Sequence, residues 1–157
     1  MSPIQVTFLG TGTSQGIPMI ACDCEVCRSN DPRDKRLRVS IHIETQGKSF
    51  IIDTGPDFRQ QMLRENIQAI NGVLFTHEHS DHTAGIDDLR PFTYKMGEVP
   101  IYAQERVIES LKVRFSYIFE TENRYAGAPK LTENTIDSTS FMLSGVQVTP
   151  LAVMHGN

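Results

Sequence analysis

The chain opens on an alternation of apolar and polar residues. Ile4-Gln5-Val6-Thr7-Phe8-Leu9 has a period near two, which predicts a strand. It runs into Gly10-Thr11-Gly12-Thr13-Ser14-Gln15-Gly16, a turn-rich loop, then a cysteine loop and a charged stretch from Arg28 to Arg38. Val39–Thr45 and Ser49–Asp53 predict two strands joined across Gln46-Gly47-Lys48 as a hairpin. From Asp57 to Glu65 the spacing turns helical: Phe58, Met62 and Leu63 form a stripe, and Asp57 suits the positive helix start. Gly72–Thr76 and Val99–Tyr102 predict short buried strands. Gln104 to Phe119 predicts a helix, with Val107, Ile108, Leu111 and Phe115 at helical spacing. Residues 120–137 are polar and expected to be a loop, and Ser140–Leu143 and Val146–Met154 read as strands around Ser144-Gly145. Strands come first, then alternate with helices, so the expected class is α/β with a sheet covered by helices. The last strand points at His155, close to the chain end at Asn157, and leads to the expectation that more protein follows.

Composition narrows this little. A length of 157 residues fits a single domain, residues 1–157. The net charge of −4 supplies no global basic field, so nucleic acid is not the expected partner, although a local cluster could hold a phosphate. The N-terminus lacks the basic and apolar regions of a signal peptide, and no run approaches the roughly 18 apolar residues of a membrane span. The three cysteines crowd at 22, 24 and 27; in a leaderless chain an odd, tight group reads as metal thiolates rather than disulfides. These features together lead to the expectation of a cytoplasmic protein without a membrane partner.

The chemistry concentrates in His77-Glu78-His79-Ser80-Asp81-His82, directly after the apolar run Val73-Leu74-Phe75. In extended chain, residues i and i+2 share a side, so His77 and His79 can aim two imidazoles at one metal while Glu78 and Ser80 point the other way. Asp81 and His82 lie just beyond, where the chain turns, and can address a second metal. Imidazole with carboxylate suits zinc, iron or manganese. Two ions roughly 3.5–4 Å apart can clamp the attacking and leaving oxygens, and a metal-bound water with a pKa near 7 supplies a hydroxide nucleophile without a serine or cysteine. Three imidazoles and a carboxylate within six residues are hard to explain by packing alone.

Thr76-His77-Glu78-His79-Ser80-Asp81-His82 resembles the H-x-H-x-D-H signature of the metallo-β-lactamase fold superfamily, and Ile51-Ile52-Asp53-Thr54-Gly55 resembles the strand-plus-Asp-Gly motif that precedes it there. The resemblance implies an αββα sandwich, of which this chain would form the N-terminal half to two thirds. It implies that His77, His79 and His155 hold a first metal and Asp81 and His82 a second (zinc or manganese), and that Asp53 steadies the metal loop. A bridging Asp and a final His would come from the C-terminal half and have no candidate here. On this reading the chain is incomplete, with a weak or inactive site.

Cys22-Asp23-Cys24-Glu25-Val26-Cys27 offers three thiolates for a tetrahedral zinc with an unnamed fourth ligand; His42 is the one spare histidine and lies inside a predicted strand. Gly10-Thr11-Gly12 with Gln15-Gly16-Ile17-Pro18, followed by C-x-C-x-x-C, resembles the phosphoribosyl cyclic phosphodiesterases of phosphonate breakdown. That branch implies a structural zinc on Cys22, Cys24 and Cys27, completed by a C-terminal His. The glycine loop is not G-x-G-x-x-G and reads as a turn near the active edge. Arg28, Arg33, Lys35, Arg36 and Arg38 read either as a solvated charged loop or as a means of attracting phosphate.

The expected function is therefore metal-dependent hydrolysis of a phosphodiester, with Asp81 orienting the nucleophile; the resemblance to the phosphonate branch implies that a small cyclic phosphate is among the candidate substrates. Transfer-RNA 3′-end processing is the related alternative, opposed by the cysteine loop and the acidic balance. β-Lactam or thioester hydrolysis is a third. An oxygen-reducing di-iron role is disfavoured because position 79 is His. The non-enzyme alternative is an inactive zinc-stabilised fragment. Half a sandwich would expose apolar surface, so a homodimer is also expected.

Overall fold

A computed structural model describes residues 2–122 and 124–155. Asn123, inside the expected loop, and Asn157, the last residue of the sequence, lie outside the described residues. Strand β1 (Ile4–Gly10) pairs antiparallel with β2 (Ser40–Thr45), and β2 with β3 (Lys48–Ile52). From β3 onward the sheet is parallel, through β4 (Gly72–Leu74), β5 (Val99–Ala103) and β6 (Leu131–Thr135), so six strands lie in sequence order. The cysteine loop carries a single helical turn, α1 (Glu25–Arg28). Helices α2 (Phe58–Arg64), α3 (Ser80–Thr83), α4 (Arg90–Met96), α5 (Glu105–Arg114) and α6 (Ser116–Phe119) fill the connections that carry the chain from one parallel strand to the next.

The two faces of the sheet differ. Leu9, Ile51, Val73 and Ile101 pack with Phe58, Met62, Phe92, Val107, Ile108 and Leu111 from the helices in one buried core. Each buried aliphatic or aromatic side chain there contributes about 1.5–3 kcal/mol. The opposite face carries a cross-strand row Phe8, Ile41, Ile52, Leu74 and Tyr102. A hairpin of β7 (Phe141–Leu143) and β8 (Val146–Val148) covers one end of it, with Phe141 stacked on Tyr102 at 5.3 Å. The other end is open, and Ile4, Val6 and Phe8 are 68%, 49% and 63% exposed. Among the described residues, then, the structure contains the helix layer and first sheet of the expected sandwich, with only a two-stranded hairpin on the second side.

Several boundaries depart from expectation. The supposed loop at 120–137 contains β6, an edge strand among the described residues, and none of its Leu-Thr-Glu-Asn-Thr side chains is fully buried, so its sequence can stay polar. Without a buried side it leaves no apolar period to read. The strand expected at Val146–Met154 ends at Val148; Pro150 follows without an N–H, and Leu151, Val153 and Met154 are exposed although they belong to an apolar run. The strand expected to reach Thr76 stops at Leu74. The single helix expected at 104–119 breaks at Phe115 (φ −126°, ψ 41°), where the chain rotates to bring Phe115, Tyr117 and Phe119 against the core. Helix α4 was not anticipated; Pro91 sits in its first turn, where a missing N–H costs nothing, and Phe92 and Thr93 form its buried side.

Candidate metal centre

The loop after β4 leaves the carboxyl end of the parallel sheet, where open α/β sheets place their ligands. It passes in extended conformation through His79 (φ −60°, ψ 149°) into the single turn of α3. This local shape separates the motif into two sides. His77 Nε2 lies 3.0 Å from His79 Nδ1, and His155 Nε2 lies 3.4 Å from the same atom, so nitrogens of the three imidazoles converge within 4.8 Å of one another. A tetrahedral zinc with arms of about 2.0–2.1 Å separates its nitrogens by about 3.4 Å, so the donor set and its spacing fit one such ion. Burial, then the neighbouring His82, His155 and His79, push the His77 imidazole below its ordinary value and keep it neutral, as ligation requires.

His82 and Asp81 lie beside this trio. His82 Nε2 is 3.3 Å from Asp81 Oδ2, a co-ligand spacing. Among the described residues no third donor joins these two in a compact group, so this half of the site offers only one imidazole and one carboxylate.

Asp53 connects the two halves. It terminates β3 in a left-handed conformation (φ 64°) that Asp tolerates better than most residues, and its carboxylate is buried. Oδ1 accepts from the Thr76 backbone N–H at 2.8 Å, and Oδ2 accepts from the Thr76 hydroxyl at 2.8 Å and from His82 Nδ1 at 2.6 Å. Because the Thr76 hydroxyl donates to Asp53, its oxygen accepts from His77 Nδ1 at 2.9 Å. This network places a proton on Nδ1 of both histidines, so that each neutral ring has its lone pair on Nε2, the atom that faces His79 in one case and Asp81 in the other. Burial opposes charge on His82, but the hydrogen bond and charge of Asp53, with Asp81, outweigh it and raise His82 above its ordinary value.

Further ties hold the loop against the sheet. The Thr54 N–H donates to the His82 carbonyl at 2.8 Å, and the Gly85 N–H to the Thr54 carbonyl at 2.8 Å. Gly55 packs against the Asp81 carbonyl so closely that no Cβ fits. Glu78 and Ser80 do point away from the imidazoles, and each meets an arginine of α5: Arg106 pairs with the Glu78 carboxylate and Arg114 donates to Ser80 Oγ at 3.2 Å. These arginines and Thr76 are contributors that the motif spacing does not reveal; the available signal is a basic pair on an otherwise ordinary amphipathic helix.

The three cysteine sulfurs also converge within 4.8 Å, and among the described residues no fourth donor joins them. The Cys27 N–H directed at Cys24 holds that thiol below its usual range, which favours the thiolate a metal needs. His42 is not part of this group: it is buried in β2 with Nε2 2.8 Å from Ser49 Oγ. The basic run is partly committed elsewhere. Arg33 pairs with Asp31, and Arg38 spans Asp57 at 3.0 Å and the Ser14 carbonyl at 2.9 Å, joining the glycine loop to the start of α2. No described helix is long and apolar enough to cross a membrane.

Comparison with known proteins places these features in context. The chain is 46% identical over 152 residues to an octanoyltransferase of Porphyromonas gingivalis, an alignment that covers 95% of this chain and 30% of that protein. A crystal structure of a new diphosphatase from the PhnP family superposes with a TM-score of 0.88 at 40% identity, covering 99% of this chain and 59% of the other. Zinc-bound PqqB from Methylobacterium extorquens shares the fold, with a TM-score of 0.74 at 23% identity over 94% of this chain and 55% of that one. The chain thus spans between about a third and three fifths of the length of these proteins. Residues 48–157, which contain the whole histidine motif, His155 and Asp53, match the family described as the beta-lactamase superfamily domain, and the chain belongs to that family, with the fold of its metallo-β-lactamase hydrolases.

Proposed function

We propose that this chain supplies the metal-binding half of a hydrolase acting on phosphodiesters, small cyclic ones among them. The observation that carries the reading is the convergence of His77 Nε2, His79 Nδ1 and His155 Nε2 beside the Asp81–His82 pair. His77, His79 and His155 would hold one divalent ion, zinc or manganese, and Asp81 and His82 would contribute to a second. Bound there, the ions supply Lewis acidity and an activated water for attack at phosphorus. The protein groups perform the rest. Asp53 and Thr76 keep the two Nε2 lone pairs free, Asp81 accepts a hydrogen bond from the attacking water and aims it, and exposure of the imidazole cluster leaves room for a small substrate. Cys22, Cys24 and Cys27 would hold a separate structural zinc. Likeness to a PhnP-family diphosphatase supports phosphorus as the electrophile.

Two other substrates have support from specific relatives. The diphosphatase favours a phosphoanhydride, and the octanoyltransferase favours an acyl thioester. The test is metal-supplemented hydrolysis of a five-membered cyclic phosphodiester, a dinucleoside diphosphate and an octanoyl thioester by a protein in which this chain is joined to the rest of the hydrolase fold, alongside its His77→Ala variant. Turnover of the cyclic ester, lost in His77→Ala, is expected. Turnover of the thioester alone, or ester hydrolysis unaffected by His77→Ala, would overturn the reading.

A further inference from the structure

We propose that Arg114 is a positioning residue for the metal loop: its guanidinium, reaching from the end of α5, sets the backbone between the two first-ion histidines. The inference rests on the metal-site reading above and concerns how that site is kept in shape. The alternation that sends His77 and His79 to one side sends Glu78 to the other, Ser80 opens the turn of α3 beside it, and the residues that meet these two come from a distant helix. Arg114 Nη1 donates to the Glu78 carbonyl at 2.5 Å and to Thr83 Oγ1 at 3.0 Å, while Nη2 donates to Ser80 Oγ at 3.2 Å. Thr83 in turn donates to the His79 carbonyl at 2.9 Å. One planar fork therefore binds three points spread over residues 78 to 83. The peptide it grips most closely, Glu78–His79, lies between the two histidines that must present neighbouring imidazoles.

Arg106, just over two turns earlier on α5, adds a second tie by pairing with the Glu78 carboxylate. The arrangement explains why an extended loop with almost no ladder hydrogen bonds keeps its histidines aligned. Metal sites lose affinity when the groups that orient their ligands are removed, typically 10–100-fold. Arginine suits the role because its rigid fork serves several acceptors at once, whereas lysine is a point donor.

Two explanations give opposite signs. If Arg114 acted only as a nearby positive charge, removing it would tighten binding of a dication. If it positions the loop, removing it weakens binding. The experiment titrates the metal-free protein and its Arg114→Ala and Arg114→Lys variants with cobalt(II), following thiolate charge-transfer bands for the cysteine site and ligand-field bands for the histidine site, with the melting temperature as a separate readout. Arg114→Ala is expected to bind cobalt at the histidines at least tenfold more weakly with an altered ligand-field spectrum, while the cysteine site is unchanged. Arg114→Lys, which keeps the charge and the helix, is expected to lose affinity to a smaller degree and remains informative if the alanine variant fails to fold. Equal or tighter binding at the histidine site in either variant, even with a lowered melting temperature, would overturn the proposal. A parent protein that binds metal only at the cysteines would instead overturn the reading of the site itself, and the proposal with it.

Discussion

Replacing Asp53 with Asn tests the proton assignment on which the site depends. The substitution keeps volume and tolerance of a left-handed backbone at φ 64°, so the backbone has little reason to change. It exchanges one carboxylate oxygen for an NH2 group. Asp53 now accepts three hydrogen bonds at 2.8, 2.8 and 2.6 Å, two of them on Oδ2. With the amide nitrogen placed at Oδ2, His82 Nδ1 faces a donor and satisfies it only by surrendering its proton, which moves to Nε2. That nitrogen lies 3.3 Å from Asp81 and would no longer offer a lone pair to a metal. The reverse amide orientation sets NH2 against the Thr76 N–H, an unpaired buried donor costing about 1–3 kcal/mol. The protein must accept one of these penalties. The expected outcome is a stability loss of that order in the metal-free protein, a fall in melting temperature of roughly 2–4 °C per kcal/mol for a chain of this size, and a 10–100-fold weaker metal affinity at the histidine site. Competition with a chromophoric chelator measures the affinity, and the cysteine site serves as internal reference. Parent-like affinity at the histidines in Asp53→Asn would refute the assignment of both protons to Nδ1.

Two further outcomes follow from packing and burial. In Gly55→Ala the added Cβ would overlap the Asp81 carbonyl, so the loop must move; overpacking of this kind costs about 1–3 kcal/mol, and thermal melts with metal titration should show both stability and histidine-site affinity falling. His42 gives a pH effect outside the metal site. Burial lowers its pKa, with Glu44 and Glu65 pulling the other way; the unfolded chain therefore binds a proton that the folded one refuses, and this contribution to stability, intact above the ordinary histidine pKa of about 6.5, is lost as pH falls below it, by at most about 1.4 kcal/mol per pH unit. Denaturant unfolding of the parent and His42→Gln between pH 8 and pH 5 should show a shallower acid loss in the variant, and identical pH slopes would refute the buried-histidine account.

The chemistry was legible in the sequence where it is local. Three imidazoles and a carboxylate within residues 77–82 declare themselves because a period-two segment fixes which side chains share a side, and the structure brings His77 and His79 together by that rule. His155, 76 residues beyond His79, was reachable only through family resemblance, since no local pattern relates the two positions. The strands with an apolar side were legible for the same reason as the motif. β6 was not, because none of its side chains is fully buried and polar residues fill it; nor was α4, whose buried side is only Phe92 and Thr93. What spacing could not supply at all was the set of residues that set protonation and angle. Asp53 is 23 residues from Thr76 and 29 from His82, and Arg114 is 36 from Glu78. These contacts exist because parallel strands in sequence order bring the ends of β3 and β4 side by side and lay α5 against the same edge. The motif therefore specifies which atoms face a metal, but the fold decides whether those atoms carry lone pairs and hold their angle. Glu78 and Ser80, which read as spacers in the sequence, are where the fold grips the loop to do so.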